Sequence, residues 1–198
     1  MTASFDWNAV RAVISSDGWA QSFTVEPPVD ETAAQAVEAQ LGRPLPEAYR
    51  AFVREVAGAI SGLHLNGPAA AVAHLVGDAP AARSFPFTPA QADAAMTALA
   101  ELLAASGLPE DSVSGLWQVA DRDAITDAML GDNPGDAGAL LALDLGCAEY
   151  VAVVADGPLR GTVWRACEDG WYPEFHRQGE RLVPHDFASF MRVYVNVV

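Results

Sequence analysis

Residues 139–155, ALLALDLGCAEYVAVVA, decide the fold class, because here the helical spacing of the preceding chain gives way to short apolar runs. Ala139 to Leu145 and Tyr150 to Ala155 are strand-like in length and composition. Asp156-Gly157-Pro158 is a turn signal, and Thr162 to Ala166 is expected to be a third strand. Glu168-Asp169-Gly170 marks another turn, followed by an extended run from Trp171 to Phe175. Pro184, His185 and Asp186 then lead into a closing helix with Phe187, Phe190, Met191 and Tyr194 on one face.

Upstream, helices are read from caps and large side chains, since abundant alanine blurs the apolar faces. Asp6 caps a first helix carrying Trp7, Val10 and Ile14, stopped near Gly18. Asp30 caps a second, with Ala33, Val37 and Leu41 facing inward and Gly42 just past its end. Pro44-Leu45-Pro46 turns the chain into a third, whose buried stripe is Tyr49, Phe52, Val53 and Val56 and which Gly58 ends. Thr88 and Gln91 form a capping box for a long fourth helix with Met96, Leu99, Leu102 and Leu103 inward and Gly107 at its close. A short acidic helix runs from Asp121 to Leu130, with Ile125 and Met129 facing inward and Gly131 as its stop. Helices first, strands later and a closing helix predict an α+β fold: a mainly antiparallel, twisted sheet with N-terminal helices, a long middle helix and a C-terminal helix. At 198 residues, the chain is expected to be a single domain, 1–198, able to hold a core without disulfides or metal.

Charge narrows the function. The formal net charge is −15, from 26 acidic and 11 basic residues, and every basic residue is arginine. Without lysine there is no P-loop phosphate contact and no Schiff-base amine. So negative a chain is not expected to bind nucleic acid, nor an anionic membrane surface. It favours a basic protein partner, although solubility alone accounts for many acidic proteins. Two cysteines, Cys147 and Cys167, form no C-x-x-C motif and fit a reducing compartment. Met1 to Trp7 lacks the features of a secretory signal. The uncharged stretch from Val56 to Gly77 is rejected as a membrane span because of Pro68, four glycines, Asn66, His64 and His74. A cytoplasmic protein is expected.

Motifs for catalysis are lacking. Gly58-Ala59-Ile60-Ser61-Gly62 is not a G-x-S-x-G nucleophile elbow, and no histidine pair has H-x-x-x-H spacing. Cys167, His176 and His185 are too widely spaced for local metal geometry. Asp121, Asp123 and Asp127 imitate part of a calcium loop, but Thr126 stands where glycine is required and Asp132 where the bidentate glutamate belongs. The glycines between Gly131 and Gly138 are no phosphate cradle, since Asp132 and Asp136 would repel phosphate. We expect no catalytic residue, no metal and no cofactor.

Acid is concentrated between Glu110 and Asp136, where Glu110, Asp111, Asp121, Asp123, Asp127, Asp132 and Asp136 face one basic residue, Arg122. Trp117 lies within this segment, placed either as an anchor ringed by acids or as a core tryptophan beneath a solvated loop. Trp164, among apolar strand neighbours, is expected in the core, and Trp171, just after a turn, at the rim of a contact surface.

Two separated segments resemble the SUKH superfamily. In 34–58, Glu38, Leu41-Gly42, Leu45-Pro46, Tyr49 and Phe52 are similar to its E-x-x-L-G-x-x-L-P-x-x-Y-x-x-F signature. In 138–194, Leu143-Asp144-Leu145-Gly146-Cys147, Gly157-Pro158-Leu159-Arg160-Gly161 and Val163-Trp164 resemble the family's sheet, and Phe187 to Phe190 its closing F-x-x-F helix. Residues 59–115 depart from that pattern. The resemblance implies a non-enzymatic binding protein: a bacterial immunity protein that neutralises a polymorphic toxin, often a nuclease, or a scaffold that regulates a cellular partner. From the resemblance combined with the charge, we expect toxin neutralisation through the acidic segment Glu110 to Asp136, with Trp117 and Trp171 in the contact; the alternative is a regulatory module whose partner is no toxin.

Overall fold

The computed structural model describes residues 5–16, 24–61, 84–110, 116, 118–131, 138–146, 149–167 and 169–195. Its centre is an antiparallel sheet of β3 (Ala139–Gly146), β4 (Glu149–Val154), β5 (Val163–Cys167) and β6 (Gly170–Pro173), in that spatial order. Each run expected to be extended is a strand, and each pairs with its neighbour in sequence. Leu140 faces Val153, Ala152 faces Trp164, and Arg165 faces Tyr172. The β3–β4 register shifts between Leu141 and Leu143 and again between Asp144 and Gly146.

Val151, Ala152, Val153 and Val154 are all fully buried, so both faces of the sheet are covered. Alternation sorts the side chains. Leu140, Ala142, Val151, Val153 and Val163 pack with the helices on one side. Ala139, Leu141, Ala152, Val154, Trp164 and Ala166 pack on the other, with Phe85, Phe87 and Trp171. That second face explains why the decisive stretch is almost continuously apolar rather than alternating.

The first cover is made of α1 (Asn8–Ile14), α2 (Glu31–Leu41), α3 (Glu47–Glu55) and α6 (Phe187–Tyr194). Trp7, Val10 and Ile14 are buried as expected, while Asp6 accepts the Asn8 N–H at 2.9 Å and Trp7 takes the cap position itself. In α2, Asp30 accepts the Ala33 N–H at 2.8 Å and Gly42 adopts φ 73°, a left-handed exit that favours glycine. The inward residue is Ala34 rather than Ala33, which is exposed, so the buried face reads Ala34, Val37, Leu41. Tyr49, Phe52, Val53 and Val56 are buried, and Phe187 meets Tyr49 and Phe52 edge-on at 5.1 and 5.4 Å. Each such aromatic contributes on the order of 2–3 kcal/mol by burial.

The chain from 84 supplies the second cover. Phe85 packs edge-on against Trp164 and Trp171 at 5.0 and 5.6 Å, and Phe87 stacks on Trp164 at 5.6 Å. The capping box of Thr88 and Gln91 then opens α4 (Pro89–Ala105), which buries Met96, Leu99 and Leu103 while Leu102 is only half-buried. With Leu116, Val119, Ile125, Tyr172 and Phe175 these residues form a third cluster. Gly138 sits at φ 70° with its α-carbon so close to the chain that a Cβ would lie 2.3 Å from the Phe85 backbone nitrogen.

Two ribbons were not expected. β1 (Thr24–Val25) pairs with β2 (Ile60–Ser61), and β7 (Phe175–Gln178) with β8 (Arg181–Pro184) across Gly179-Glu180. The Ser61 end of that first ribbon and Val56 to Ile60 are the described part of the long uncharged stretch; its remainder, like the Gly18 stop, lies outside the described residues. Among the described residues no helix is long and apolar enough to cross a membrane.

Candidate functional site

The segments 34–58 and 138–194 meet across the first cover. Glu38 accepts the Leu45 N–H at 3.0 Å and the Arg50 Nε at 2.9 Å, fixing the corner between α2 and α3. Arg160, in the β4–β5 turn, donates to the carbonyls of Pro44 at 2.9 Å, Leu45 at 2.8 Å and Ala155. Arg43 pairs with Asp156 on the same turn. The Gly157 N–H, then the Arg43 guanidinium, hold the Asp156 carboxyl below its usual range.

On the other side of the molecule, α5 (Arg122–Ala128) is a short amphipathic helix. Its cap Asp121 accepts the Ala124 N–H at 3.0 Å, and its one fully buried residue, Ile125, enters the cluster beneath α4. Asp121, Asp123 and Asp127 are exposed. Glu110 follows the end of α4, is exposed, and pairs with Arg177 of β7. Asp111, Trp117, Asp132 and Asp136 lie outside the described residues.

Trp171 does not belong to this surface. It is 1% exposed, forms an antiparallel bridge with Leu130 and packs against Phe85. A turn does precede it, but Gly170 begins strand β6 at once, the Trp171 backbone pairs with Leu130, and the indole meets Phe85 within the second cluster. The expectation of a rim tryptophan is therefore corrected; Trp164 is in the core as expected.

A groove of about 470 Å³ runs between α4 and the β7–β8 hairpin and takes in Glu110. Asp93, Thr97 and Glu101, at four-residue spacing on the exposed face of α4, form one wall; Arg177, Glu180 and Arg181 form the other. Met96 and Ala100 lie at its base, and four carboxylates against two guanidinium groups leave it negative. Asp93 and Glu101 are legible in the sequence as part of the polar face of a helix. Glu180 and both arginines depend on the unexpected hairpin.

Several other ionisable groups are committed to structure. Arg165 is half-buried and pairs with Glu149 at 2.7 Å and with Glu174, which is 6% exposed. Burial pushes the Glu174 carboxyl up against the pull of Arg165. Cys167 is buried, its Sγ 3.5 Å from the Gly170 carbonyl, and burial raises its thiol pKa. The rings of His176 and His185 are 4.5 Å apart, and His185 Nδ1 lies 3.0 Å from Ser189 Oγ. Among the described residues no three His, Cys, Asp or Glu side chains converge as metal ligands.

The fold and surface thus define an α+β protein whose exposed chemistry is acidic. Comparison of the chain with protein-family models, with curated proteins and with solved structures finds no match.

Proposed function

We propose that the protein is a non-enzymatic binding module that neutralises a basic toxin domain, such as a nuclease, by direct contact through its acidic face. The observation that carries this reading is the exposure of Asp121, Asp123 and Asp127 on α5, which packs against α4, together with the negative groove along α4, in a chain of net charge −15. Carboxylates on such a face stand in for substrate phosphates and occupy the basic cleft of the partner. The resemblance of 34–58 and 138–194 to the SUKH superfamily supports it further, because those segments pack together through Arg160, Leu45, Tyr49 and Phe187.

The test is retention of proteins from the cell extract on the tagged chain at low salt, with elution by a salt gradient. A single stoichiometric basic protein, released by salt and toxic when expressed alone, is the expected result. Recovery only of salt-insensitive housekeeping proteins would favour a regulatory scaffold over toxin neutralisation.

A further inference from the structure

A second groove, of about 530 Å³, opens between Phe5 and Trp7 ahead of α1, α3, the β4–β5 turn and the start of α6. It shares no lining residue with the groove along α4. Its floor is apolar: Trp7 and Ala188 are almost covered, and Phe5, Ala48 and Ala51 are half-buried. That floor is held from below, since Phe5 meets Trp7 at 4.6 Å and Trp7 meets Phe52 at 5.5 Å, both edge-on.

The rim is acidic. Glu47, Glu55 and Asp186 line it and are exposed. Asp186 gives one oxygen to the Ser189 N–H at 2.7 Å. Among the described residues no arginine lies within ion-pair distance of the Glu47 or Glu55 carboxylates. Arg11, beside Glu55, spends its guanidinium on the Glu55 backbone carbonyl and on Asn8 Oδ1. Arg160, the one basic residue among the described lining residues, is turned to the carbonyls of Pro44, Leu45 and Ala155. The groove therefore combines an apolar floor with rim carboxylates that meet no cation among the described residues.

We propose that this groove binds an extended segment of a protein partner in which one large apolar side chain is flanked by arginine or lysine. The apolar side chain fills the space over Trp7, Ala51 and Ala188, a volume in the range of side-chain and small-ligand pockets. The flanking cations meet Glu47 and Glu55 on one side and Asp186 on the other. The site goes beyond the acidic face of α4 and α5 and stands independently of it.

Two fluorescein-labelled peptides test it on the full chain, by anisotropy at about 50 mM salt: four arginines around a central phenylalanine, and a twin with central glycine. The phenylalanine peptide is expected to bind at least ~10-fold more tightly than its twin. Glu47→Gln with Glu55→Gln weakens it about 3- to 20-fold, and Ala51→Trp, which fills the floor, removes the preference for phenylalanine. Asp93→Asn with Glu101→Gln, in the other groove, leaves that preference unchanged. Equal binding of the two peptides, absence of binding, or loss of the phenylalanine preference in the Asp93 and Glu101 variant would overturn the proposal. So would a dimer in sedimentation that Ala51→Trp splits, since a second copy of the chain would then occupy the groove. Should Ala51→Trp fail to fold, the rim variant decides alone, because both its substitutions are at exposed positions.

Discussion

The guanidinium of Arg160 donates to the carbonyl of Leu45 at 2.8 Å across 115 positions of sequence. A second N–H of the same nitrogen reaches Pro44 O at 2.9 Å, and the other terminal nitrogen reaches Ala155 O. One side chain thus satisfies the corner between α2 and α3, where Pro44 and Pro46 leave few backbone donors, and closes the β4–β5 turn. Arg160→Ala is expected to cost about 1–2 kcal/mol, because charge-assisted bonds are lost and carbonyls are left to water. Arg160→Lys should recover little, since an ammonium cannot fork across three carbonyls. Urea unfolding of the two variants checks both expectations.

Trp171 belongs to the core, so its removal is a stability defect and not a binding defect. Trp171→Ala should cost about 3–5 kcal/mol, as large-to-small core changes do. Partner affinity, measured at a temperature where the variant is folded, should be that of the unaltered chain. A large loss of affinity with normal stability would return Trp171 to the surface.

Acid should destabilise the fold in a specific window. Asp156 and Glu31 have folded-state pKa values below their ordinary ones, the first through the Gly157 N–H and Arg43, the second through Arg50 and Gln35. A depressed carboxyl contributes stability that is full above its unfolded pKa of about 4 and is lost as pH falls through the folded value. Glu174, raised by burial, has the opposite sign: its contribution is full below the unfolded pKa and lost as pH rises through the folded one. Asp156→Asn should therefore lie below the unaltered chain in stability at about pH 6, with the gap closing by about pH 2, as urea midpoints across that range would show.

Asp121 has two separable roles, since its oxygen caps α5 and its charge lies on the exposed face. Asp121→Asn keeps an acceptor for the Ala124 N–H and should leave thermal stability almost unchanged while weakening partner binding. Asp121→Ala should also lose about 1 kcal/mol of stability. Equal partner affinity in both variants and the parent would remove Asp121 from the contact.

The strands were legible because Val151 to Val154 are apolar and mostly β-branched and Val163-Trp164 follows a Gly turn, and the helices because Asp30, Thr88, Asp121 and Asp186 sit at their caps. The β7–β8 hairpin was not. Arg177, Gln178, Glu180 and Arg181 are exposed, so the pair shows no apolar alternation, and only Gly179 marks its turn. Ala33 and Ala34 could not be told apart by size. The burial of Trp171 is not legible, because it depends on the Leu130 bridge and the contact with Phe85, whose approach no local pattern announces. Of the acidic segment, the helix bearing Asp121, Asp123 and Asp127 was readable, whereas the pairing of Glu110 with Arg177 depends on the hairpin.

The salt dependence of partner affinity tests the central claim most directly, measured for the parent chain and for Asp121→Asn, Asp123→Asn and Asp127→Asn combined. If the acidic face makes the contact, affinity falls steeply from about 50 to 500 mM salt, and the triple variant binds more weakly and with a shallower slope. An affinity that stays flat with salt, or a triple variant with the parent's slope, would contradict it and leave the negative charge to solubility alone.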